Sequence, residues 1–202
     1  MDRKGQGLYP GYDVLALQDE WDAVTRQIVN KRLGPFQYKV CSHWEQTMIK
    51  TLAEHLTYDC RDEVLTWITA HVDQQLASPT GEAQRKPNTP PQRELIRGGL
   101  KMLDAWSKNQ YGQAFLQLEQ DQQFQIINSL QTGSLETIKG WDHSLQKDLF
   151  KKLVGLVIEA YYSHPWTWSE MGYGGPSYPR GYVRIGLGVT DPWEPKRGPS
   201  HA

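Results

Sequence analysis

Six histidines, two cysteines and a scatter of carboxylates are the side chains of this 202-residue chain that have the chemistry for metal binding, nucleophilic attack or proton transfer. A zinc site needs ligands at short, regular spacing. His43, His55, His71, His143, His164 and His201 form no HExxH run and no pair four residues apart, and none has a cysteine or carboxylate at zinc spacing. His55 and His71, on neighbouring helices of the pattern below, are a pair that folding could bring together, although histidines on half-buried helix faces are more often simply hydrogen-bonded. Cys41 and Cys60 lack CxxC spacing. A straight helix between them would be about 25 Å long, beyond disulfide reach, so they read as separate structural thiols. The glycine-rich run Gly172 to Pro176 has neither the Lys-Ser/Thr of a P-loop nor a GxGxxG pattern. No GxSxG nucleophile elbow is present. Glu119, Asp121 and Glu159 read as helix-capping or surface charges rather than catalytic ones.

What the chain concentrates instead is aromatic surface. Residues 161–195 hold three of the eight Trp, five of the ten Tyr, six of the eighteen Gly and five of the twelve Pro. Large rings therefore sit on backbone that resists regular helix, and Arg180 and Arg184 stand among them. Trp, Tyr and Arg are the residue types that most often carry binding energy between proteins. Trp166, Trp168, Tyr173, Tyr178, Arg180 and Tyr182 are the candidate anchors, with Gly172, Gly174 and Gly175 shaping turns that aim Tyr173 and Tyr178 outward. The plainer reading is that the segment wraps over its own helices and fills gaps.

Composition narrows the classes further. A net charge of −1 removes the basic excess that phosphate-backbone binding requires. The apolar run around Leu153 to Tyr162 is broken by Gly155 and Glu159 and is too short to cross a bilayer. After Arg3 and Lys4 no apolar stretch develops before Asp13, Asp19 and Glu20, and no twin-arginine pair appears. The expectation is a leaderless chain, cytoplasmic by default, whose export would depend on a signal-bearing partner.

The elements that must position these residues follow a helical period. Val14, Leu17, Trp21, Val24 and Ile28 mark one face of a first helix, capped by Asp13 and ended by Gly34-Pro35. Ser42 with Glu45 makes a capping box, and Trp44, Met48, Leu52 and Leu56 carry a second helix to about Tyr58. A third, on Val64, Leu65, Ile68, Val72 and Leu76, begins near Asp62 and ends at Ser78-Pro79. Residues 77–92 are polar and proline-rich, an exposed loop. A fourth helix carries Leu95, Ile96, Leu100, Leu103 and Trp106. Its Gly98-Gly99 pair costs about 2 kcal/mol against alanines, so close packing has to offset it. Phe115, Leu118, Phe124, Ile127 and Leu130 outline a shorter helix closed by Gly133. The most apolar helix carries Leu145, Leu149, Phe150, Leu153, Val154, Val157 and Ala160 and stops at His164-Pro165. Residues 182–189 alternate weakly, enough for one edge strand, but two glycines oppose a sheet. The expected fold is all-α, a single-domain bundle or orthogonal array of about six helices. It divides into a flexible start (1–12), a helical domain (13–163) and an irregular aromatic arm (164–202).

The order of these segments resembles the gluconate 2-dehydrogenase subunit 3 family over most of the chain. The resemblance rests on Phe115, Leu118, Gln122, Gln123 and Leu130, followed by the corner Tyr162, Ser163, His164, Pro165 and the loop Tyr173, Gly174, Gly175. Pro176 stands where the family pattern has Asn, residues 166–171 are extra, and the twin-arginine leader of many relatives is missing. The resemblance implies a small subunit with no catalytic residue and no flavin, haem or metal of its own. It would support folding, stability and assembly of a large FAD-dependent partner of the glucose-methanol-choline type, with a cytochrome c subunit as an optional third component. Hydride transfer from an alcohol carbon of a sugar or sugar acid would then occur on the FAD of the partner. Two readings from other classes stand beside it. One is a stand-alone carbohydrate or small-ligand binder using the rings with Glu159, His164 or Glu170. The other is a helical scaffold for an unrelated partner.

Overall fold

Local capping chemistry decides where the helices begin. In the computed structural model, which describes residues 8–78, 89–138, 140–184 and 186–196, the all-α expectation holds. The helices are α1 (Ala23–Asn30), α2 (His43–Thr57), α3 (Asp62–Ala77), α4 (Gln92–Tyr111), α5 (Gln120–Thr132), α6 (His143–Tyr161) and α7 (Pro165–Met171). Among the described residues the short 3-10 segments Val14–Glu20, Lys31–Leu33 and Phe115–Gln117 accompany them. No strand occurs among the described residues; an isolated bridge joins Ile138 and Trp141. No helix among the described residues is long and apolar enough to cross a membrane. Residues 1–7 of the flexible start and residues 79–88 of the proline-rich loop lie outside the described residues.

Internal contacts group the chain into two compact units. One comprises residues 1–36, 59–67 and 160–202, the other residues 37–58 and 68–159, so the residues of α3 are divided between them.

The second unit is built on satisfied polar anchors around an apolar interior. The capping box of α2 forms as expected, with Ser42 Oγ accepting from the Glu45 amide and the Glu45 carboxylate accepting from the Ser42 amide at 2.8 Å. Arg97 of α4 donates to the same carboxylate at 2.6 Å. Burial alone would raise the Glu45 pKa, but these bonds hold it below its ordinary value. Asp73 of α3 is buried and accepts three successive backbone N–H groups, from Lys39, Val40 and Cys41. Gly99 admits Leu149 against the backbone of α4, the close approach expected of the glycine pair.

Three expectations need correction. The first helix is two pieces, because the Asp22 carboxylate accepts from the amides of Val24 and Thr25 and so takes extended backbone, which restarts the chain as α1. The restart turns Val24 and Ile28 to solvent, while Val14, Trp21 and Val29 are buried. Phe115 belongs to its own 3-10 turn ahead of α5, and Phe124 is exposed. His164-Pro165 ends α6 but also starts α7, since proline at the first helical position removes only an amide that needs no partner there.

Candidate functional site

The arm that the sequence marks for binding lies in the first unit, and it begins as a helix. His164 is the N-cap of α7; its Nδ1 accepts the Trp166 amide at 3.2 Å, and Gly172 closes the helix in the left-handed region at φ 75°. Trp166 and Trp168 are therefore helical. Trp166 is half-buried and meets the His164 ring edge-on at 5.5 Å. Trp168 is only 8% exposed and belongs to a small apolar core with Val14, Trp21 and Val29. Its indole N–H donates to Tyr162 O at 2.6 Å, and the Arg32 guanidinium lies 5.1 Å over its ring. Burial depresses the Arg32 pKa, and Arg32 donates to Ser163 O at 2.7 Å. Ser169 on the same helix accepts from the Val14 amide at 3.1 Å, which ties α7 to the start of the described chain.

Beyond α7 the backbone is pinned by polar contacts. The Arg180 side chain is 7% exposed and donates to Glu20 at 2.9 Å, to Gly174 O at 2.6 Å and to Pro176 O at 3.2 Å, with the Trp193 ring 4.8 Å beneath it. Tyr12 donates to Trp193 O, and burial pushes its phenol up to about 12. Gly174 and Gly175 are buried. A Cβ at Gly175 would stand 2.7 Å from the Trp21 ring, and the residue has φ 80°, so two independent constraints exclude a side chain there. Asp191, also buried, accepts the amides of Val183 and Arg184, while Glu194 accepts the Asp191 amide at 2.8 Å.

Three of the sequence-derived anchors face solvent. Tyr173 is 43%, Tyr178 69% and Tyr182 67% exposed. Val183, Leu187 and Val189 are exposed around them in sequence. Burial raises the Tyr173 phenol, with Tyr182 adding to it, and its ring packs edge-on against Trp168 at 5.3 Å. Of the remaining candidates, Trp166 is half-buried on α7 against His164, and Trp168, Gly174, Gly175 and the Arg180 side chain are internal supports of the surface that carries these tyrosines.

Sequence reasoning missed the charged cluster beneath α7. Arg61 spreads its guanidinium between Asp59, which is almost fully buried, and Glu170 of α7, which it meets at 2.6 and 3.0 Å. Burial opposes the Arg61 charge, but the two carboxylates outweigh it and raise its pKa above the ordinary value. Nothing in spacing signalled this cluster, because Glu170 is 109 residues away from Arg61. Glu170 is thereby engaged, and His164 is fully buried, so neither offers a polar group to a sugar from an open surface. Glu159 lies on α6 with its carboxylate 3.5 Å from His71. His55 faces Gln123 at 2.8 Å. Among the described residues no group of three His, Cys, Asp or Glu is arranged to hold a metal ion. Neither Cys41 nor Cys60 forms a disulfide among the described residues; the first is buried and the second exposed.

The arrangement can present rings on a braced backbone. A family model described as gluconate 2-dehydrogenase subunit 3 matches residues 45–175, from within α2 to the buried Gly175. No curated protein and no solved structure matches the chain.

Proposed function

This chain belongs to the gluconate 2-dehydrogenase subunit 3 family, and from that premise we propose that it is the non-catalytic small subunit of an FAD-dependent sugar or polyol dehydrogenase. On this reading it supports folding, stability and assembly of a large catalytic subunit of the glucose-methanol-choline type. The FAD, the active-site base and the hydride transfer belong to that partner. A cytochrome c subunit is the proposed electron-accepting companion. The observation that carries the reading is the family match over residues 45–175.

The contact we propose is the face bearing Tyr173, Tyr178 and Tyr182. Exposed tyrosines bury large area at low side-chain entropy cost, and here Arg180 and Asp191 already hold the backbone that carries them. Such pre-organisation lowers the ordering cost of association. Removing residues 166–202 would be a poor test, because it also deletes Trp168 from the core and Glu170 from the Arg61 cluster. The better variant is Tyr178→Ser with Tyr182→Ser, both at exposed positions. Tagged parent chain expressed in its native host should co-purify a large yellow flavoprotein, and the double variant should keep its helical circular dichroism while losing the flavin absorbance. A variant that retains the flavoprotein would overturn the tyrosine face. A parent chain that draws no flavoprotein would overturn the subunit reading itself.

A further inference from the structure

The glycine pair of α4 divides in its purpose. At Gly99 a Cβ would collide with Leu149, so packing explains the residue; at Gly98 a Cβ would meet nothing within 4 Å. A mid-helix glycine without a packing reason gives up about 1 kcal/mol of helix stability. The space it leaves open is a surface slot of about 100 Å³ in the second unit. Leu95, Met102, Trp141 and Leu145 supply its walls, and Gly98 lies along its length. Among the described residues lining it, Glu94 alone is charged; this carboxylate is exposed and has no ion-pair partner among the described residues. Trp141 is buried, and its indole N–H has no acceptor among the described residues.

We propose that this slot receives a primary alkylammonium group, presented as the lysine side chain of a partner polypeptide. The four-carbon stem lies on the apolar walls and the ammonium pairs with Glu94 at the rim. The match is one of size and charge. The volume suits a short unbranched stem rather than a drug-sized ligand, which occupies about 300 Å³ or more. Lysine buries its methylenes along apolar surface while its charged head stays at the edge, where a carboxylate can meet it. A neutral aliphatic group would fill the walls but leave Glu94 without a role beyond its place in the first turn of α4, where a carboxylate also suits the helix dipole. This assignment goes beyond the subunit reading, and its test needs no flavoprotein.

The full chain, labelled with nitrogen-15, would be titrated with n-butylammonium chloride and separately with 1-butanol. Saturable shifts of the Gly98 and Gly99 amides and the Trp141 indole N–H are expected, with the alcohol about tenfold weaker because it lacks the charge. Glu94→Gln should bring the ammonium down to the affinity of the alcohol, and Gly98→Leu should abolish both responses. If Gly98→Leu does not fold, Glu94→Gln at its exposed position carries the test alone. Absence of saturable shifts, or equal binding of alcohol and ammonium, overturns the site. An Nα-acetyl-lysine methylamide probe should bind like butylammonium and lose binding when its ε-amine is acetylated; failure of this probe where butylammonium binds overturns the polypeptide source.

Discussion

Gly99 of α4 lies directly against Leu149 of α6, so that a Cβ added at Gly99 would stand 2.5 Å from both δ-methyl carbons of that leucine. Leu149 is buried and has little freedom to withdraw. Its neighbour Gly98 has open space in the same place.

Two adjacent glycines should therefore respond in opposite directions to the same substitution. Gly99→Ala overpacks the helix contact and is expected to cost roughly 1–3 kcal/mol. Gly98→Ala meets no obstruction, improves helix propensity, and should stabilise by up to about 1 kcal/mol. Urea unfolding of both variants beside the parent decides the matter, and shifts of the same sign would show that the two positions are not distinguished by packing.

Asp73 gives the second prediction. Burial by itself would raise its pKa, but the amides of Cys41, Lys39 and Val40 favour the ionised form and hold it below the ordinary carboxylate value. A group depressed in this way contributes stability that is complete above the pKa of the unfolded chain and is lost as pH falls toward the folded pKa. Asp73→Asn keeps the shape but loses the charge and leaves an amide N–H₂ facing backbone donors, which should cost on the order of 1–3 kcal/mol at neutral pH. The loss should shrink in acid, below about pH 4. Equal losses at neutral and acid pH would remove the ionised carboxylate from the explanation.

Much of the helical framework is legible in the sequence because its signals are local. Ser42 and Glu45 are three residues apart and form the box that their spacing announces; Gly133 closes α5 with φ 66°. The paired glutamines on which the resemblance rested also prove to be local structure. Gln122 accepts the Glu119 amide at the start of α5, and Gln123 donates to Phe115 O while facing His55. The aromatic arm was harder to read, because composition does not say which side of a ring meets solvent. Trp168 and Tyr178 look alike as candidates, and only the core with Val14 and Trp21 separates them. The restart of the chain at Asp22 was hidden for a different reason. An uninterrupted apolar period ran across it, and one side-chain cap outweighed that pattern.

Arg61 offers a test of the cluster beneath α7. Its planar fork reaches two carboxylates, a geometry lysine cannot copy. Arg61→Lys should retain the charge but lose most of the paired hydrogen bonds. Arg61→Met should be worse, since it removes the guanidinium that pairs the buried Asp59 carboxylate, and breaking a buried ion pair typically costs about 3–5 kcal/mol. Thermal unfolding should rank parent, lysine and methionine variants in that order. A methionine variant as stable as the parent would mean that the cluster contributes nothing net.

His164 should set how the protein responds to mild acid. Its Nδ1 accepts the Trp166 amide, so the neutral ring carries its proton on Nε2, a buried N–H with no acceptor among the described residues. Burial, reinforced by the Arg61 charge, pushes its pKa down to about 4 from an ordinary 6.5. Between these two values the unfolded chain takes up a proton that the folded chain refuses. Stability therefore falls as pH falls through this window, by about 3 kcal/mol in all at about 1.4 kcal/mol per pH unit. Above the window His164 contributes no pH dependence, and below it both states are protonated and the loss stops growing. The Asp73 effect begins lower, in the carboxylate range, so the two can be separated by where they act. His164→Asn is the informative variant, because asparagine is a favoured N-cap that can keep accepting the Trp166 amide but does not titrate. Its stability should change less steeply with pH across the histidine window, by about one bound proton, while the carboxylate range is unaltered. Denaturant midpoints measured from neutral pH into acid would reveal this, and parallel curves for parent and variant would show that His164 is not the group responsible.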